Sequence, residues 1–300
     1  MGFEPNLRSY GILLGFYHII YGFEDKLTQK LTFVNLIMKA KKSFGQHFLI
    51  DEGLAMNIAG SLSKDIGIDQ VLEVGPGRGM LTQYLIERGL DLKVVELDRD
   101  MIPILNKKFP KLEIIQEDFL KTDLLQMFER KPFLLIGNYP YNISSQIIFK
   151  MLEYKNLIPE MVGMFQKEVA ERIVSKEGSK KYGVISVLAQ LHYEGELIFQ
   201  VPPTAFDPPP KVNSAVIKMS RRKTPLNLKN EKLFRSLVKS SFGNRRKMIR
   251  NCLKSMIPGH EILQDKRFDA RPERLSVQEF VDLTNEIEVI QNETNKRIKE

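Results

Sequence analysis

Val71-Leu72-Glu73-Val74-Gly75-Pro76-Gly77-Arg78-Gly79-Met80-Leu81-Thr82 reads as an apolar strand running into a glycine-rich turn that opens a helix. Glycines at such a turn let the backbone approach a ligand closely. The next strand-like run, Leu92-Lys93-Val94-Val95, ends at Glu96, a carboxylate placed to accept hydrogen bonds from ribose hydroxyls. A nucleoside-containing cofactor is implied. The dinucleotide fingerprint G-x-G-x-x-G requires glycine where Met80 stands, and no G-x-x-x-x-G-K-S/T phosphate loop follows. With phosphate-bearing cofactors disfavoured, S-adenosylmethionine fits best.

Two further strand ends continue the series. Asp118 follows Ile114-Ile115-Gln116-Glu117, where it can accept from the adenine amine of the cofactor; alone it would read as a helix cap. Asn138 follows Phe133-Leu134-Leu135-Ile136-Gly137 and opens Asn138-Tyr139-Pro140-Tyr141, which alone would read as a strand ending in a turn. Strand ends at Gly75, Glu96, Asp118 and Asn138, in chain order, are what a parallel α/β sheet presents at the carboxyl edge of its strands. There the Asn138 side-chain oxygen and a nearby backbone carbonyl can accept both hydrogens of an exocyclic amine, while Tyr141 offers a face on which a base can stack. The adenine amine is a poor nucleophile because its lone pair is delocalised into the ring, and acceptors that pull on its hydrogens make the nitrogen more reactive. The tetrapeptide therefore points to alkylation of an adenine amine.

More blocks extend the pattern: Lys41-Lys42-Ser43-Phe44-Gly45-Gln46-His47-Phe48-Leu49, Gln166-Lys167-Glu168-Val169-Ala170-Glu171-Arg172, Ser179-Lys180-Lys181-Tyr182-Gly183, Phe206-Asp207-Pro208-Pro209-Pro210-Lys211-Val212-Asn213-Ser214 and Arg245-Arg246-Lys247-Met248-Ile249-Arg250-Asn251. On these, residues from about Lys39 to Arg274 resemble the KsgA-type ribosomal RNA adenine dimethyltransferases, with the blocks in family order. The resemblance implies a Rossmann-like class I methyltransferase sheet with a smaller C-terminal helical domain. It implies S-adenosylmethionine as cofactor and dimethylation of the N6 amines of two adjacent adenines in the 3′-terminal hairpin of small-subunit (16S) ribosomal RNA, within a pre-ribosomal 30S particle. By the same resemblance His47, Leu49, Gly75, Glu96, Asp118 and Asn138 contact the cofactor or line its pocket. Asn138 also holds the target amine, and Tyr141 and Phe206 sandwich the flipped adenine. Two positions depart from common family variants: His47 stands where Asn is frequent, and Tyr139 where Leu is frequent. Two other functions share part of the pattern. A large-subunit ribosomal RNA adenine methyltransferase conferring antibiotic resistance shares the glycine loop and the Asn-x-Pro-Tyr, although the Phe206 and Arg245 blocks favour the small-subunit type. A ribosome-assembly factor acting mainly by binding would share all of it.

Composition agrees with an RNA partner. The 300-residue chain carries a net charge of +8, concentrated toward its C-terminal half, where from Lys211 to Lys254 only Glu231 opposes the basic residues. Within that run Arg221, Arg222, Lys223, Arg245, Arg246, Lys247 and Arg250 are the expected RNA-binding residues, an electrostatic footprint for a phosphate backbone. Lys39, Lys41 and Lys42 add a smaller basic cluster.

Strand and helix signals alternate from about Val71 to Gln166, the rhythm of a doubly wound parallel sheet, and Glu194 to Met219 reads as paired strands flanking a proline-rich loop. Apolar residues at Leu233, Phe234, Leu237 and Val238, and at Met248, Ile249, Cys252 and Leu253, recur at helical spacing. Pro272 reads as part of a loop capping a last helix, and the charged residues 291–300 as a frayed end. The expected layout is a methyltransferase domain over 38–222 and a helical RNA-binding domain over 223–300. Residues 1–37 form an extension outside the resemblance, with Met38 the expected natural start. Its apolar run from Tyr10 to Phe23 is shorter than a membrane span. Cys252 is the single cysteine, and His18, His47, His192 and His260 are scattered, so neither a disulfide nor a metal site is expected. A monomer in a reduced, cytoplasmic setting is expected.

Overall fold

The structure, a computed structural model, describes residues 46–299. The extension 1–37, the start at Met38 and the Lys39, Lys41 and Lys42 cluster lie outside the described residues. A seven-stranded sheet runs in the order β4-β3-β2-β5-β6-β9-β7. Its strands are β2 (Gln70–Val74), β3 (Asp91–Val95), β4 (Glu113–Ile115), β5 (Leu134–Asn138), β6 (Glu160–Gln166), β7 (Tyr193–Val201) and β9 (Ser214–Arg221). A two-stranded ribbon pairs β1 (Phe48–Leu49) with β8 (Phe206–Asp207).

The first five strands of the sheet are parallel, and their apolar runs follow from burial on both faces. Leu72, Val74 and Leu135 pack into one core, whereas Val71, Leu134 and Ile136 pack into the other. Between strands lie the helices α1 (Glu52–Gly60), α2 (Met80–Glu87), α3 (Ile102–Lys108), α4 (Leu124–Met127), α5 (Ser144–Glu153), α6 (Lys167–Val174) and α7 (Val184–Gln190). From β2 the chain builds outward through β3 and β4, then returns to place β5 on the other side of β2. This reversal makes the carboxyl ends of β2 and β5 a topological switch point, where the departing loops diverge and leave a crevice. β9 inserts between β6 and the edge strand β7, antiparallel to both, from Glu160↔Ser220 to Gln166↔Ser214 on the β6 side.

After β9 the chain is helical: α8 (Glu231–Gly243), α9 (Ile249–Leu253) and α10 (Val277–Lys299). Phe234, Leu237 and Val238 of α8 and Phe280 and Val281 of α10 belong to the same buried cluster as Leu72 of β2 and Ile217 of β9. Burying side chains of this size contributes about 2 kcal/mol each, so this segment is held to the sheet by a continuous core. One expected stripe position differs: Met248 is 46% exposed, because it stands as the N-cap just before α9 rather than within its apolar face. Pro272 opens a short 3-10 turn ahead of α10. Ser276 and Glu279 then form a reciprocal cap, with the Ser276 N–H donating to Glu279 Oε2 at 2.7 Å and the Glu279 N–H to Ser276 Oγ at 3.2 Å. The helix continues to Lys299, beyond the buried Ile290.

Candidate active site

The switch-point crevice is a cavity of about 220 Å³. Its walls include His47, Leu49, Gly75, Glu96, Asp118, Asn138 and Tyr141, so the structure brings together seven of the eight residues expected for cofactor and target. The glycine loop makes this possible through its backbone. Gly75, Gly77 and Gly79 have φ of 69°, 55° and 76°, and a Cβ on Gly79 would lie 2.5 Å from the Phe109 ring.

Glu96 is 6% exposed, and burial pushes its carboxyl above the usual range against the pull of its backbone hydrogen bonds. Its Oε2 accepts from the Gly77 N–H at 3.1 Å and its Oε1 from the Asp98 N–H at 2.8 Å. Each oxygen keeps a lone pair for a ribose hydroxyl. Asp118 is both a turn cap and a pocket wall, since Oδ1 accepts from the Leu120 N–H at 3.0 Å and Oδ2 lies 3.9 Å from Lys121. Asn138 donates from Nδ2 to the His47 carbonyl at 3.1 Å. With Nδ2 committed to a carbonyl, Oδ1 is the atom left to accept. The Tyr141 hydroxyl bonds Ser214 Oγ at 2.6 Å, which fixes the ring, and burial pushes its phenol up. His47 packs against Tyr141 with ring centroids 5.4 Å apart. Its Nδ1 lies 2.8 Å from the Pro208 carbonyl, so Nδ1 carries the proton.

Phe206 is not brought to the cavity wall. It is 3% exposed, paired through β8 with Leu49 and packed among Val201, Ala205 and Val216. The expected RNA-binding arginines are also placed away from the crevice. Arg221, at the end of β9, donates to the Lys155 and Asn156 carbonyls, and Arg222 donates to the Gln190 carbonyl and Glu194, all at the opposite edge of the sheet. Arg245 donates to the Ser179 carbonyl and lies 3.8 Å from Glu273. Arg250 donates to the Asp265 carbonyl and pairs with Asp269. Lys223, Arg246 and Lys247 are exposed, and their side chains have no ion pair among the described residues.

Sequence reasoning passed over two features. Glu73 is 1% exposed in the cavity lining, accepts from Thr82 Oγ1 at 2.7 Å, and is pushed up to about 8 by burial, so it is neutral at pH 7. A glutamate inside an otherwise apolar, doubly buried strand was the available signal. The second is a slot for Tyr139. Gly137 and Gly163 face one another across β5 and β6, and a Cβ on either would meet the Tyr139 ring, at 2.7 Å and 2.3 Å.

The donor set fits S-adenosylmethionine. Glu96, Asp98, Glu117 and Asp118 suit hydroxyl and amine donors and a cationic sulfonium, and oppose a polyphosphate. Among the described residues no His, Cys, Asp and Glu group is placed to hold a metal ion, and no helix is long and apolar enough to cross a membrane.

Strand order, switch point and cavity together define a Rossmann-like class I methyltransferase. The family model for ribosomal RNA adenine dimethylase matches residues 37–289, and the chain belongs to that family. Ribosomal RNA small subunit methyltransferase A of Flavobacterium johnsoniae is 51% identical over 253 residues, covering 84% of this chain and 97% of that protein. Its namesake in Phocaeicola vulgatus is 51% identical over 264 residues, covering 86% and 94%. Among solved structures, a dimethyladenosine transferase from Plasmodium falciparum shares the fold at TM-score 0.70 and 24% identity, over 82% of this chain and 98% of that one. The 23S rRNA methyltransferase ErmE matches at TM-score 0.60 and 26% identity, over 78% and 99%.

Proposed function

We propose that this methyltransferase dimethylates the N6 amines of two adjacent adenines in the 3′-terminal hairpin of small-subunit ribosomal RNA, acting on a pre-ribosomal 30S particle. The observation that carries the reading is the fixed amide of Asn138 at the switch point, beside Tyr141 and a carboxylate-lined nucleoside pocket. Relatives about half identical across most of this chain, with small-subunit names, favour that substrate over the large-subunit alternative.

When bound, S-adenosylmethionine supplies a methyl group on a sulfonium that is already an excellent leaving group. The work of the chain is therefore positioning. Glu96 takes the ribose hydroxyls, Asp118 the adenine amine of the cofactor, and His47 and Leu49, just before and within β1, cover the pocket. Asn138 Oδ1 and the Tyr139 carbonyl accept from the target amine, drawing its lone pair out of the ring and along the line of attack. Tyr141, braced by Ser214, stacks one face of the base. Phe206, held in β8 beside Leu49, is the proposed second face. Lys223, Arg246 and Lys247, exposed and without an ion pair among the described residues, are the basic residues best placed to meet phosphates, whereas Arg221, Arg222, Arg245 and Arg250 are bonded to carbonyls and carboxylates of the chain.

The test is transfer of labelled methyl groups to purified small subunits lacking the modification, with large subunits and duplex DNA alongside. Dimethyladenine in small-subunit RNA alone is expected. Label in large-subunit RNA would move the function to the resistance class, and none anywhere would leave a binding role only.

A further inference from the structure

The strap formed by residues 46–50 touches the pocket on one side and the Phe206 loop on the other. Toward the pocket, Gln46 Nε2 donates to Asp98 Oδ2 at 2.7 Å and the His47 carbonyl accepts from Asn138. Phe48 stands on the glycine loop so closely that a Cβ on Gly77 would lie 3.0 Å from its ring. Toward the loop, Phe48 pairs with Asp207 and Leu49 with Phe206, and the Ile50 N–H donates to the Ala205 carbonyl at 2.9 Å. One side chain joins both sides. The guanidinium of Arg78, in the glycine loop itself, lies 4.3 Å from the centre of the Phe48 ring and donates to Asp207 Oδ2 at 3.2 Å.

We propose that Arg78 and Asp207 are positioning residues that couple cofactor binding to the seating of the target adenine. A cofactor against the glycine loop orders that loop, Arg78 carries the order across Phe48 to Asp207, and Asp207 fixes the strand whose other residue is Phe206. The Asp207 side chain is 57% exposed and Arg78 29%, so the ion pair contributes little to stability and its loss leaves the fold standing. Its effect is on orientation, as a link between two ligand sites, and such a link acts equally in both directions. The inference rests on the function proposed above.

The experiment measures the affinity of unmodified small-subunit particles for the protein with and without saturating S-adenosylhomocysteine, and the affinity of S-adenosylhomocysteine with and without particles. Wild type, R78L, R78K, D207N and R78L/D207N are compared. Wild type is expected to bind particles on the order of tenfold more tightly with the nucleoside present, and the reciprocal factor is expected to be equal. R78L and D207N should each bring that factor to within about twofold of unity, the double variant should go no further, and R78K should retain part of it. A wild type without coupling, or variants that keep the wild-type factor, overturns the inference. So does an R78L protein that loses affinity for the nucleoside alone while its factor is unchanged, because that marks a local distortion of the glycine loop. Coupling with no methyl transfer to particles would sink the proposed function, whereas transfer without coupling sinks only this inference.

Discussion

Glu96 and Arg221 are both charged residues at strand ends, one following β3 and one ending β9, and they use their charge differently. Glu96 accepts two backbone N–H groups and still faces a cavity, with lone pairs to give. Arg221 donates to two backbone carbonyls at 2.9 Å that hold the turn after α5 against β9. The same contrast holds across the wider regions. At the carboxyl edge, side chains are held by a few backbone bonds and line a cavity. In the segment after β9, Arg222, Arg245 and Arg250 are tied to carbonyls and carboxylates of their own chain. A dense run of positive charge in sequence is therefore part footprint and part internal scaffold, and only contacts separate the two.

The largest break in this contrast comes from Asn138→Ala. It removes the acceptor at the reacting nitrogen, and single-turnover methyl transfer should fall on the order of 10²-fold or more while particle affinity stays within about twofold. An active variant would show that Asn138 does not hold the amine. Next is Gly163→Ala, whose Cβ meets the Tyr139 ring. Overpacking should cost about 1–3 kcal/mol in urea unfolding, and less in a Tyr139→Leu background, where the slot is relieved. Equal costs in both backgrounds would refute the slot.

Glu73 sharpens the contrast within the pocket, because it is the carboxyl that stays neutral. Its proton is held to about pH 8 in the fold but lost near 4.5 in the unfolded chain. The fold binds the extra proton between those values, so this group makes stability fall as pH rises through the window and adds no further loss above it. Glu73→Gln should remove that slope, and its Tm relative to wild type should climb between pH 5 and pH 8; a constant difference would contradict a neutral Glu73. The smallest effects separate the two kinds of basic residue. R246E/K247E should weaken particle binding and flatten its salt dependence by about one unit of log–log slope per lost phosphate contact, with Tm unchanged. Arg221→Ala and Arg250→Ala should lower Tm and leave the salt slope alone.

Much of the pocket was legible because its signals are local. A glycine loop after an apolar strand, and a polar residue closing each following strand, are periodicity and turn chemistry, and the switch point follows from strand order. Asn138, Glu96 and Asp118 could be placed without any long-range contact. Phe206 could not, because its burial depends on which strand β8 pairs with, and the partner, Leu49, is far away in sequence. Arg221 and Arg250 failed to declare their partners for the same reason: the carbonyls they bind come from distant turns. Met248 keeps the helical spacing of its neighbours, yet the helix begins one residue later and leaves it exposed.

The decisive measurement is a crystal structure with S-adenosylhomocysteine bound. The nucleoside is expected in the switch-point crevice, with both ribose hydroxyls on Glu96, its adenine amine on Asp118, and Asn138 Oδ1 left open toward Tyr141. A nucleoside bound elsewhere, or one whose adenine amine occupies Asn138, would contradict it.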